Sequence, residues 1–386
     1  MTEEHENHKF EVTQTESIIQ QDTPAPPNLI GRLLKKYVVI SKIDEGSFGA
    51  IFLAKKLTKE KIVIDKNFSC TDISEDELGK YQVIKAESNF TEGGCGLKME
   101  VEILKKIHQI FPDTEQFVKI NEPSRRNLYS YVFMTLLGKS LKDLVKDLPD
   151  RQFSIGTWSR IGIQGLFAVK QLHEAGYIHR DLKPANFVLG HKNDSKRCRF
   201  IHLIDFGLSR GFITIINGVR WHRKPRKVVD FRGTEFYCSQ SMHFDLEQQR
   251  IDDIWGLIFT LMEMYKGLPW SFVNQSEVEA KKKTTKLIDI LNFLPTELAK
   301  SLTNLNNIER RGRPNYEEIY DRYDWEKVVN SKAPSMEKFE CMHEEFKKDR
   351  LSDLNIIKNG EYQQISNRSV KNNTPLDTNV SVCFGP

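Results

Sequence analysis

The sequence has few of the features that mark membrane, secreted or nucleic-acid-binding proteins. No run of about 18 consecutive apolar residues occurs, so we expect no membrane span and no membrane partner. Its six cysteines form no CxxC pair and no signal peptide precedes them, which indicates reduced thiols in the cytoplasm or nucleus. With 57 basic and 53 acidic side chains, the net charge is only +4, and this balance argues against nucleic acid as a partner.

The composition of the two ends differs from that of the middle. Of 386 residues, 39% are hydrophobic and 28% are charged, an ordinary balance for a globular protein. Residues 1–30 are rich in Glu, Gln, Thr and Pro and bury too little apolar surface to fold, so we predict a disordered arm. Residues 332–386 are charged and then rich in Asn, Ser and Thr, which predicts a second, largely disordered tail with a short helix around residues 336–350.

The middle of the chain changes from strand patterns to helix patterns. Segments YVVISKI, AIFLAKK, YQVIKAE and YSYVFMTLL are rich in β-branched and aromatic residues, as strands are. One helix, GLKMEVEILKKIHQI, interrupts them, and Glu100, Leu104 and Ile107 at i, i+4 and i+7 predict an inward-pointing carboxylate. Later segments are helical, and IWGLIFTLMEM is apolar on all sides. We therefore predict an α+β fold with a small β-rich lobe followed by a larger helical lobe.

Two features of the strand-rich part are typical of phosphate binding. Between two strand patterns lies a glycine loop made of Glu45, Gly46, Ser47, Phe48 and Gly49. Its glycines let backbone N–H groups approach phosphate oxygens, although such a loop alone also fits a simple hairpin turn. Further along, Lys85 lies within an apolar strand. It is either a solvated surface lysine or a phosphate-binding lysine with Glu100 as its counter-charge.

The segment IHRDLKPANF, residues 178–187, carries the strongest signal. Asp181 can accept or orient the proton of a substrate hydroxyl, Lys183 can neutralise charge on a transferred phosphoryl group, and Asn186 can bind magnesium. Asp205 follows shortly afterwards, in LIDFG at the end of an apolar strand, where its carboxylate can bridge magnesium to phosphates. We expect Thr234 to form a hydrogen bond near Asp181.

These motifs make the chain resemble a eukaryotic protein kinase of the casein kinase 1 superfamily, most closely its tau-tubulin kinase branch. The resemblance covers residues 37–328, with an N-lobe at about 37–136 and a C-lobe at about 137–328. Its family-level motifs are LKME at 97–100, LGKSL at 137–141, FRGT at 231–234, DDIW at 252–255, LPW at 268–270 and RPNY at 313–316. Where kinases usually read APE, this chain has CSQS at 238–241.

The resemblance implies an ATP- and Mg²⁺-dependent enzyme that phosphorylates Ser or Thr of protein substrates and acts as a monomer. It assigns catalysis to Asp181, Lys183, Lys85 and Glu100, and the metal to Asn186 and Asp205. It implies that Met134 is the gatekeeper beside adenine. The implied ATP-binding residues are Ile43, Glu45, Gly46, Ser47, Phe48, Gly49, Ile51, Val83, Lys85, Met134, Leu137, Val188 and Ile204.

Several positions depart from the family pattern. Asp44 stands where the first glycine of the loop is expected, and its charge should weaken nucleotide affinity unless the side chain turns away. Phe236 replaces an arginine that helps relatives bind a phosphate already present on the substrate. The basic segment VRWHRKPRK, residues 219–227, can attract acidic or phosphorylated peptides or simply be a solvated face. The connection between Phe52 and Lys85 is longer than in the family.

Two alternative functions remain open at this point. The chain could be a pseudokinase, whose nucleotide pocket serves as a scaffold with little turnover, and Asp44 and the altered APE region motivate that hypothesis. It could also be an adaptor that uses the basic segment to hold acidic proteins or nucleic acid independently of ATP. The enzyme is favoured by the complete set of predicted site residues, Lys85, Glu100, Asp181, Asn186 and Asp205.

Overall fold

A computed structural model describes residues 28–46, 49–58, 68, 70, 73–90, 96–121, 123–226, 228–305, 307–322, 342, 344–358 and 361–363. The chain divides into two compact units, Met1–Val101 with Lys119–Leu136, and Glu102–Val118 with Leu137–Pro386. The second unit resumes at Leu137, where we placed the start of the C-lobe, and it also contains residues 102–118. In the described part of the chain, no helix is long and apolar enough to cross a membrane.

The first unit is built on a six-stranded antiparallel sheet in the order β1-β2-β3-β4-β6-β5. Its strands are β1 (Leu33–Leu34), β2 (Tyr37–Glu45), β3 (Gly49–Lys56), β4 (Tyr81–Ser88), β5 (Ser124–Arg125) and β6 (Tyr129–Met134). All four predicted strands are therefore confirmed. One face of the sheet is covered by a cluster of buried side chains that includes Phe52, Ile84, Tyr131 and Phe133.

Two helices belong to this part of the chain, α1 (Glu75–Leu78) and α2 (Gly96–Ile110). The bounds of α2 are those of the predicted amphipathic helix, and Ile103, Leu104 and Ile107 on it are completely buried. The division between the units falls within α2, after Val101. Because Glu100 shares the face of Leu104 and Ile107, the fold buries a carboxylate, and only 1% of the residue is exposed.

The second unit is mainly helical. Its helices are α3 (Leu141–Lys146), α4 (Ile155–Glu174), α5 (Arg250–Glu263), α6 (Val278–Thr284), α7 (Leu287–Leu291), α8 (Thr296–Leu305) and α9 (Tyr316–Asp321). Its strands are β7 (Leu137–Ser140), β8 (Tyr177–Ile178), β9 (Phe187–Gly190), β10 (Ile201–Leu203), β11 (Arg210–Gly211), β12 (Ile213–Ile216), β13 (Val219–His222), β14 (Ile356–Lys358) and β15 (Glu361–Gln363). The strands form one three-stranded sheet, β10-β9-β7, and three pairs, β11-β8, β12-β13 and β14-β15. This composition and the sheet of the first unit confirm the predicted α+β kinase fold.

Helices α4 and α5 form the centre of the second unit. Thirteen of the fourteen residues of α5, Arg250 through Met262, are buried, which confirms the prediction of a fully buried helix. The indole N–H of Trp158 on α4 donates to the carbonyl oxygen of Leu261 on α5 at 2.8 Å. Helix α4 ends at Glu174, and Gly176 after it has a φ of +92°, the left-handed geometry expected of a glycine that terminates a helix.

Side chains beyond residue 328 also pack against the helices of the second unit. Met342, Phe346 and Leu351 are buried, and the ring of Phe346 lies 4.5 Å from that of Tyr320 on α9. We had placed the end of the domain near residue 328 and treated 332–386 as a largely disordered tail. The boundary at 328 therefore leaves out apolar side chains that pack on the helices. In the helix predicted around residues 336–350, residues 342 and 344–347 are helical, and residues 336–341 and 343 lie outside the described residues.

Candidate active site

The nucleotide-binding side chains predicted in the first unit share one face of its sheet. Ile51 pairs directly with Lys85 and Leu53 with Val83 between β3 and β4, and Val83 pairs with Met134 between β4 and β6. Directly paired residues of antiparallel strands point to the same face, and alternate residues do so along one strand. The opposite face is covered by the buried cluster that includes Phe52, Tyr131 and Phe133. On the predicted ligand face, Leu53 and Val83 also pack in a smaller buried cluster with Ile40 and Ile73.

Lys85 on β4 forms a close ion pair with Glu100 on α2. Its Nζ lies 2.6 Å from Oε2 of Glu100, and only 15% and 2% of the two side chains are exposed. Glu87, two residues along β4, accepts a hydrogen bond from the backbone N–H of Leu97 at 2.7 Å. A carboxylate at a helix N-terminus stabilises it, so Glu87 helps fix the helix that carries Glu100. Lys85 is thus a partly buried lysine held by a carboxylate, as predicted, and not a solvated surface lysine.

The glycine loop is a tight connection between β2 and β3. The backbone N–H of Gly46 donates to the carbonyl oxygen of Gly49 at 2.8 Å. A Cβ atom at Gly49 would lie 2.3 Å from the carbonyl oxygen of Ala86, so the close approach of β3 to β4 requires glycine there. A Cβ at Gly46 would contact nothing within 4 Å, so packing does not require that glycine. The predicted contacts of Ser47 and Phe48 lie outside the described residues.

Asp44 is exposed and engaged by its own neighbour. Its Oδ1 accepts a hydrogen bond from the backbone N–H of Glu45 at 2.8 Å. The carboxylate of Glu45 pairs with Lys42 at 2.6 Å, with 44% and 49% of the side chains exposed. Ile43 is 42% exposed. Among the described residues of this strand end, the two acidic side chains are therefore held by local donors, and the ammonium of Lys42 offsets the charge of Glu45.

Asp181, the carboxylate predicted to act in catalysis, is held from both sides. Oδ1 of Asp181 accepts a hydrogen bond from the hydroxyl of Thr234 at 2.6 Å, and Oδ2 lies 2.6 Å from Nζ of Lys183. Lys183 also approaches Thr234 Oγ1 at 3.3 Å. The expected hydrogen bond between Thr234 and Asp181 is confirmed. Asp181 is 6% exposed, so its carboxylate has one orientation relative to a lysine and a hydroxyl.

Asp253 on α5 fixes the backbone of this loop. Its two carboxylate oxygens accept from the backbone N–H groups of His179 at 2.6 Å and Arg180 at 2.9 Å. Arg180 has a φ of +72°, a strained conformation for a non-glycine residue, and these bonds stabilise it. His173 lies 2.9 Å from Asp253 and 2.7 Å from the Tyr316 hydroxyl. Burial disfavours the charge of Asp253, yet its hydrogen bond to His173 and the nearby histidines lower its pKa.

No role was predicted for Asp253, although the DDIW motif contains it. Sequence reasoning assigned that motif to a family resemblance and to a buried helix, and both assignments hold. A carboxylate inside an otherwise apolar helix is costly unless it is hydrogen-bonded. A carboxylate in an apolar helix was therefore the feature of the sequence that could have indicated this role. It implies a set of buried hydrogen-bond donors, here two backbone amides and a histidine.

Asn186 and Asp205 occupy adjoining backbone segments. The amide Nδ2 of Asn186 donates to the carbonyl oxygen of Asp181 at 2.8 Å, and the backbone N–H of Ile204 donates to the carbonyl oxygen of Asn186 at 3.0 Å. Asp205 follows with a φ of +66°. Phe206 is completely buried, with its ring 5.3 Å from that of His179. The two predicted metal ligands are therefore joined to the same loop as Asp181.

The donor set fits magnesium bound together with a nucleotide. Among the described residues, no group of three or more His, Cys, Asp or Glu side chains lies close enough to hold a metal ion. Mg²⁺ seldom uses an all-protein cage and instead combines one or two carboxylates with waters and substrate phosphates. One carboxylate, Asp205, and one amide oxygen, Asn186, match that pattern.

The apolar residues predicted in the second unit lie on neighbouring strands. Val188 on β9 is buried, and Leu137 on β7 and Ile204 after β10 are half-buried. Strand β9 pairs with both β7 and β10, which brings the three positions into one small sheet.

The segment CSQS is attached to α5 through hydroxyl groups. Ser239 and Ser241 both donate to Oδ1 of Asp252 at 2.6 Å. The other oxygen of Asp252 accepts from Arg310 Nη2 at 2.9 Å. The two serines thus connect this segment to a helix N-terminus and, through Asp252, to a basic residue near the end of the domain.

Phe236 lies in a segment whose backbone is held by buried donors. Its carbonyl oxygen accepts from the indole N–H of Trp270 at 2.9 Å. Lys282 on α6 is completely buried, and its Nζ donates to the carbonyl oxygens of Glu235, at 2.7 Å, and Cys238. Sequence reasoning missed Lys282 because it lies in the run KKKTTK, which looks like a solvated face. Its burial fixes the segment that follows Thr234.

Much of the basic segment at 219–227 is used inside the protein. Arg220 pairs with Asp353 at 2.6 Å, and Arg226 makes a two-point contact with Glu247 at 2.9 and 3.1 Å. His222 is buried, and burial lowers its pKa to about 4, so it is neutral at pH 7. The charge run is therefore not a simple solvated face, and two of its arginines already have carboxylate partners.

Comparison with known proteins identifies the family. The protein kinase domain model matches residues 37–358. A Caenorhabditis elegans protein named as a candidate serine/threonine-protein kinase is 34% identical over 288 residues, which cover 74% of this chain and 76% of the relative. A candidate serine/threonine-protein kinase of Dictyostelium discoideum is 32% identical over 321 residues, 78% of this chain but only 59% of the relative.

A third relative concerns activity. A Caenorhabditis elegans protein named as an inactive tau-tubulin kinase is 33% identical over 260 residues, 64% of this chain and 87% of the relative. The name supports the predicted resemblance to tau-tubulin kinases. The match over 37–358, the two-unit fold and the serine/threonine kinase relatives agree, and the chain belongs to the protein kinase family, as a serine/threonine kinase similar to the tau-tubulin kinases.

Proposed function

We propose that the chain is an active, ATP-dependent kinase of the casein kinase 1 type that phosphorylates Ser and Thr of proteins. The observation that carries this proposal is the arrangement at Asp181, where one carboxylate oxygen meets Thr234 and the other Lys183. A carboxylate with fixed orientation can accept the proton of a substrate hydroxyl, and the adjacent ammonium can neutralise the transferred phosphoryl group.

The reaction is an in-line displacement. The substrate oxygen forms a bond to the γ-phosphorus, the bond from that phosphorus to the β–γ bridging oxygen breaks, and ADP leaves. The hydroxyl proton passes to Asp181. In this scheme Lys85, oriented by Glu100, would hold the α- and β-phosphates, and Asn186 and Asp205 would hold Mg²⁺. The metal neutralises phosphate charge when bound, and the protein's own contribution is positioning and electrostatic stabilisation.

A pseudokinase with little turnover is the alternative that a specific observation favours. One relative is named inactive, and Asp44 replaces a loop glycine. Against it stand the Lys85–Glu100 pair at 2.6 Å and the complete set of contacts around Asp181.

The test compares wild type with Asp181→Asn and Lys85→Met in a phosphorylation assay with Mg²⁺, ATP and an acidic test protein. We expect Asp181→Asn to lower kcat by about 100-fold or more, because a general base contributes that much. Asp147→Asn makes the same chemical change at a side chain that is 58% exposed and serves as the matched control. Equal labelling by wild type and Asp181→Asn refutes the assignment. Thermal stabilisation by Mg²⁺ and ATP without turnover supports the scaffold instead.

The finer substrate class follows from Phe236 and the basic segment. We propose that the enzyme uses acidic, unphosphorylated peptides and does not depend on a phosphate already present, since an aromatic ring cannot bind phosphate as an arginine does. Arg223 and Lys224 of the basic segment are exposed and provide positive charge. Peptides that differ only in an Asp, a phosphoserine or an Ala near the acceptor serine distinguish these cases, and a preference of tenfold or more for phosphoserine over Asp refutes this proposal.

We further propose that the enzyme is a monomer of the cytoplasm or nucleus. The sequence pattern that supports a reducing compartment is the absence of any CxxC pair among its six cysteines. Light scattering of the purified protein and imaging of a tagged chain in cells test the two statements.

A further inference from the structure

The hairpin β12–β13 lies between the DFG motif and Thr234, and part of the C-terminal segment is joined to its edge. Trp221 on β13 forms a parallel bridge with Asn355. The backbone N–H of His222 donates to the carbonyl oxygen of Asn355 at 2.7 Å, and the N–H of Asn355 donates to the carbonyl oxygen of Arg220 at 3.0 Å. The side-chain amide of Asn355 adds a second hydrogen bond to Arg220 O at 3.1 Å. Residues 349–355, here called the C-terminal strap, thus satisfy the open edge of β13.

A two-point ion pair strengthens this contact. Arg220 Nη2 lies 2.6 Å from Oδ1 of Asp353, and its Nε donates to Oδ2 at 2.9 Å. Its Nη1 also donates to the carbonyl oxygen of Arg350 at 3.3 Å. Fork-like pairing of arginine with a carboxylate fixes geometry as well as adding energy. Backbone and side-chain contacts therefore hold the strap at one register on the hairpin.

The strap also touches the element that leads into the catalytic loop. Leu351 is 6% exposed and packs in a cluster with Ile178 and Phe212. Ile178 is the residue before His179, and Phe212 connects β11 to β12. Burial of a leucine side chain in such a cluster removes apolar surface from water and so stabilises the contact. One side chain of the strap therefore reaches both the start of the catalytic loop and the base of the hairpin.

The strap is tethered to the helices at its beginning. The ring of Phe346 lies 4.5 Å from that of Tyr320 and 5.6 Å from that of Phe167. The backbone N–H of Arg350 donates to the carboxylate of Glu174, at the end of α4, at 2.7 Å. A short tether raises the effective concentration of the strap at the hairpin, so the contact forms within one molecule.

We propose that the C-terminal strap is an intramolecular activating element, which holds the β12–β13 hairpin and the start of the catalytic loop in the arrangement needed for phosphoryl transfer. The inference rests on the proposed kinase activity for its functional half. In many kinases, ordering of this part of the chain depends on new contacts between a phosphate and arginines. Here the strap supplies an arginine–carboxylate contact and a strand from within the chain.

The first experiment replaces Leu351 by Asp in the full chain. A charged side chain cannot remain in the Ile178–Phe212 cluster, so the strap should detach. We expect faster hydrogen exchange in residues 211–222 and a loss of kcat of about tenfold or more, with KM for ATP unchanged, because misplacement of the catalytic loop affects the chemical step. Leu128→Asp, at a leucine that is 56% exposed in the first unit, is the matched control and should change neither readout.

The second experiment reverses the ion pair. Arg220→Glu and Asp353→Arg should each raise hydrogen exchange in residues 211–222 and lower kcat, and the double variant should restore both at low salt. Rescue by the reversed pair depends on the contact itself and not on general stability.

The outcomes separate the two proposals. The proposal for the strap is overturned if hydrogen exchange is unchanged in Leu351→Asp, or if the double variant fails to restore exchange and kcat. Faster exchange with normal kcat also overturns it, because the hairpin would then not need to be held. If the wild type has no turnover, the proposed kinase activity fails, while the exchange measurements still decide whether the strap holds the hairpin.

Discussion

Replacement of Lys282 by Met should destabilise the second unit in a way that depends on pH. Lys282 is completely buried, and its ammonium lies 4.7 Å from the ring centroid of Trp270 and 5.2 Å from that of Phe259. It donates to the carbonyl oxygens of Glu235 and Cys238. Methionine keeps most of the side-chain volume but leaves these carbonyls without their buried donor.

The expected size follows from two opposing effects. An unsatisfied buried acceptor costs about 1–3 kcal/mol, and the variant creates at least two. Burial lowers the pKa of Lys282 to about 8 from 10.5, which means that the charged form costs about 3 kcal/mol in the folded protein, and the variant removes that cost. The remaining destabilisation at pH 7 is about 1 kcal/mol, which lowers Tm by about 2–4 °C in a unit of this size.

The sign of the pH dependence distinguishes this account from a simple packing defect. Because the folded pKa lies below the unfolded value, the unfolded state binds more protons between pH 8 and 10.5, and the wild type gains stability as pH rises through that window. The difference between wild type and Lys282→Met should therefore widen from pH 7.5 to 10.5. Lys281→Met, one residue earlier and exposed, is the matched control with a constant difference. Urea unfolding at several pH values measures both, and a constant or shrinking difference for Lys282→Met refutes the reasoning.

Two further predictions concern titratable side chains of the second unit. Glu247→Gln should lower the free energy of unfolding at pH 7 by about 1–3 kcal/mol, because it leaves Arg210 and Arg226 without their shared carboxylate. Burial opposes the charge of Glu247, but Arg226 and Arg210 lower its pKa below 4.5, so the effect should be complete above pH 4.5 and shrink as the pH falls further; a difference that does not shrink in acid contradicts this. Burial lowers the pKa of His202 and His222 to about 4. As the pH falls from 6.5 to 4, the free energy of unfolding should therefore decrease by about 1.4 kcal/mol per pH unit for each histidine. In acid titrations of unfolding, His222→Gln should show a smaller slope.

The parts of the site that local patterns encode were predictable from the sequence. The 3.6-residue period places Glu100 on the buried side of its helix, and a buried carboxylate needs a counter-charge, which Lys85 provides. Asp181 and Asn186 occur together because the loop chemistry requires fixed spacing. Even the hydrogen bond between Thr234 and Asp181 was expected. In these cases each side chain and its partner lie within recognisable motifs.

Contacts between distant charged residues could not be predicted in the same way. A basic run has the same composition whether it is solvated or paired, and the partner of Arg220 lies 133 residues further along the chain. Asp353 lies in a stretch that we expected to be a tail. Lys282 shows the same limit, because only the geometry of a short helix decides that it is buried while Lys281 and Lys283 are exposed.

These distant contacts share one consequence for residues 205–241, here called the activation segment. Its beginning is fixed at Arg210 by Glu247, its hairpin at Arg220 by the C-terminal strap, and its end by Lys282. All three donors or acceptors belong to parts of the chain outside the segment, and none of them depends on a modification. Because an ordered segment requires its entropy cost to be offset by contacts, three independent anchors favour a segment that is in place as soon as the chain folds.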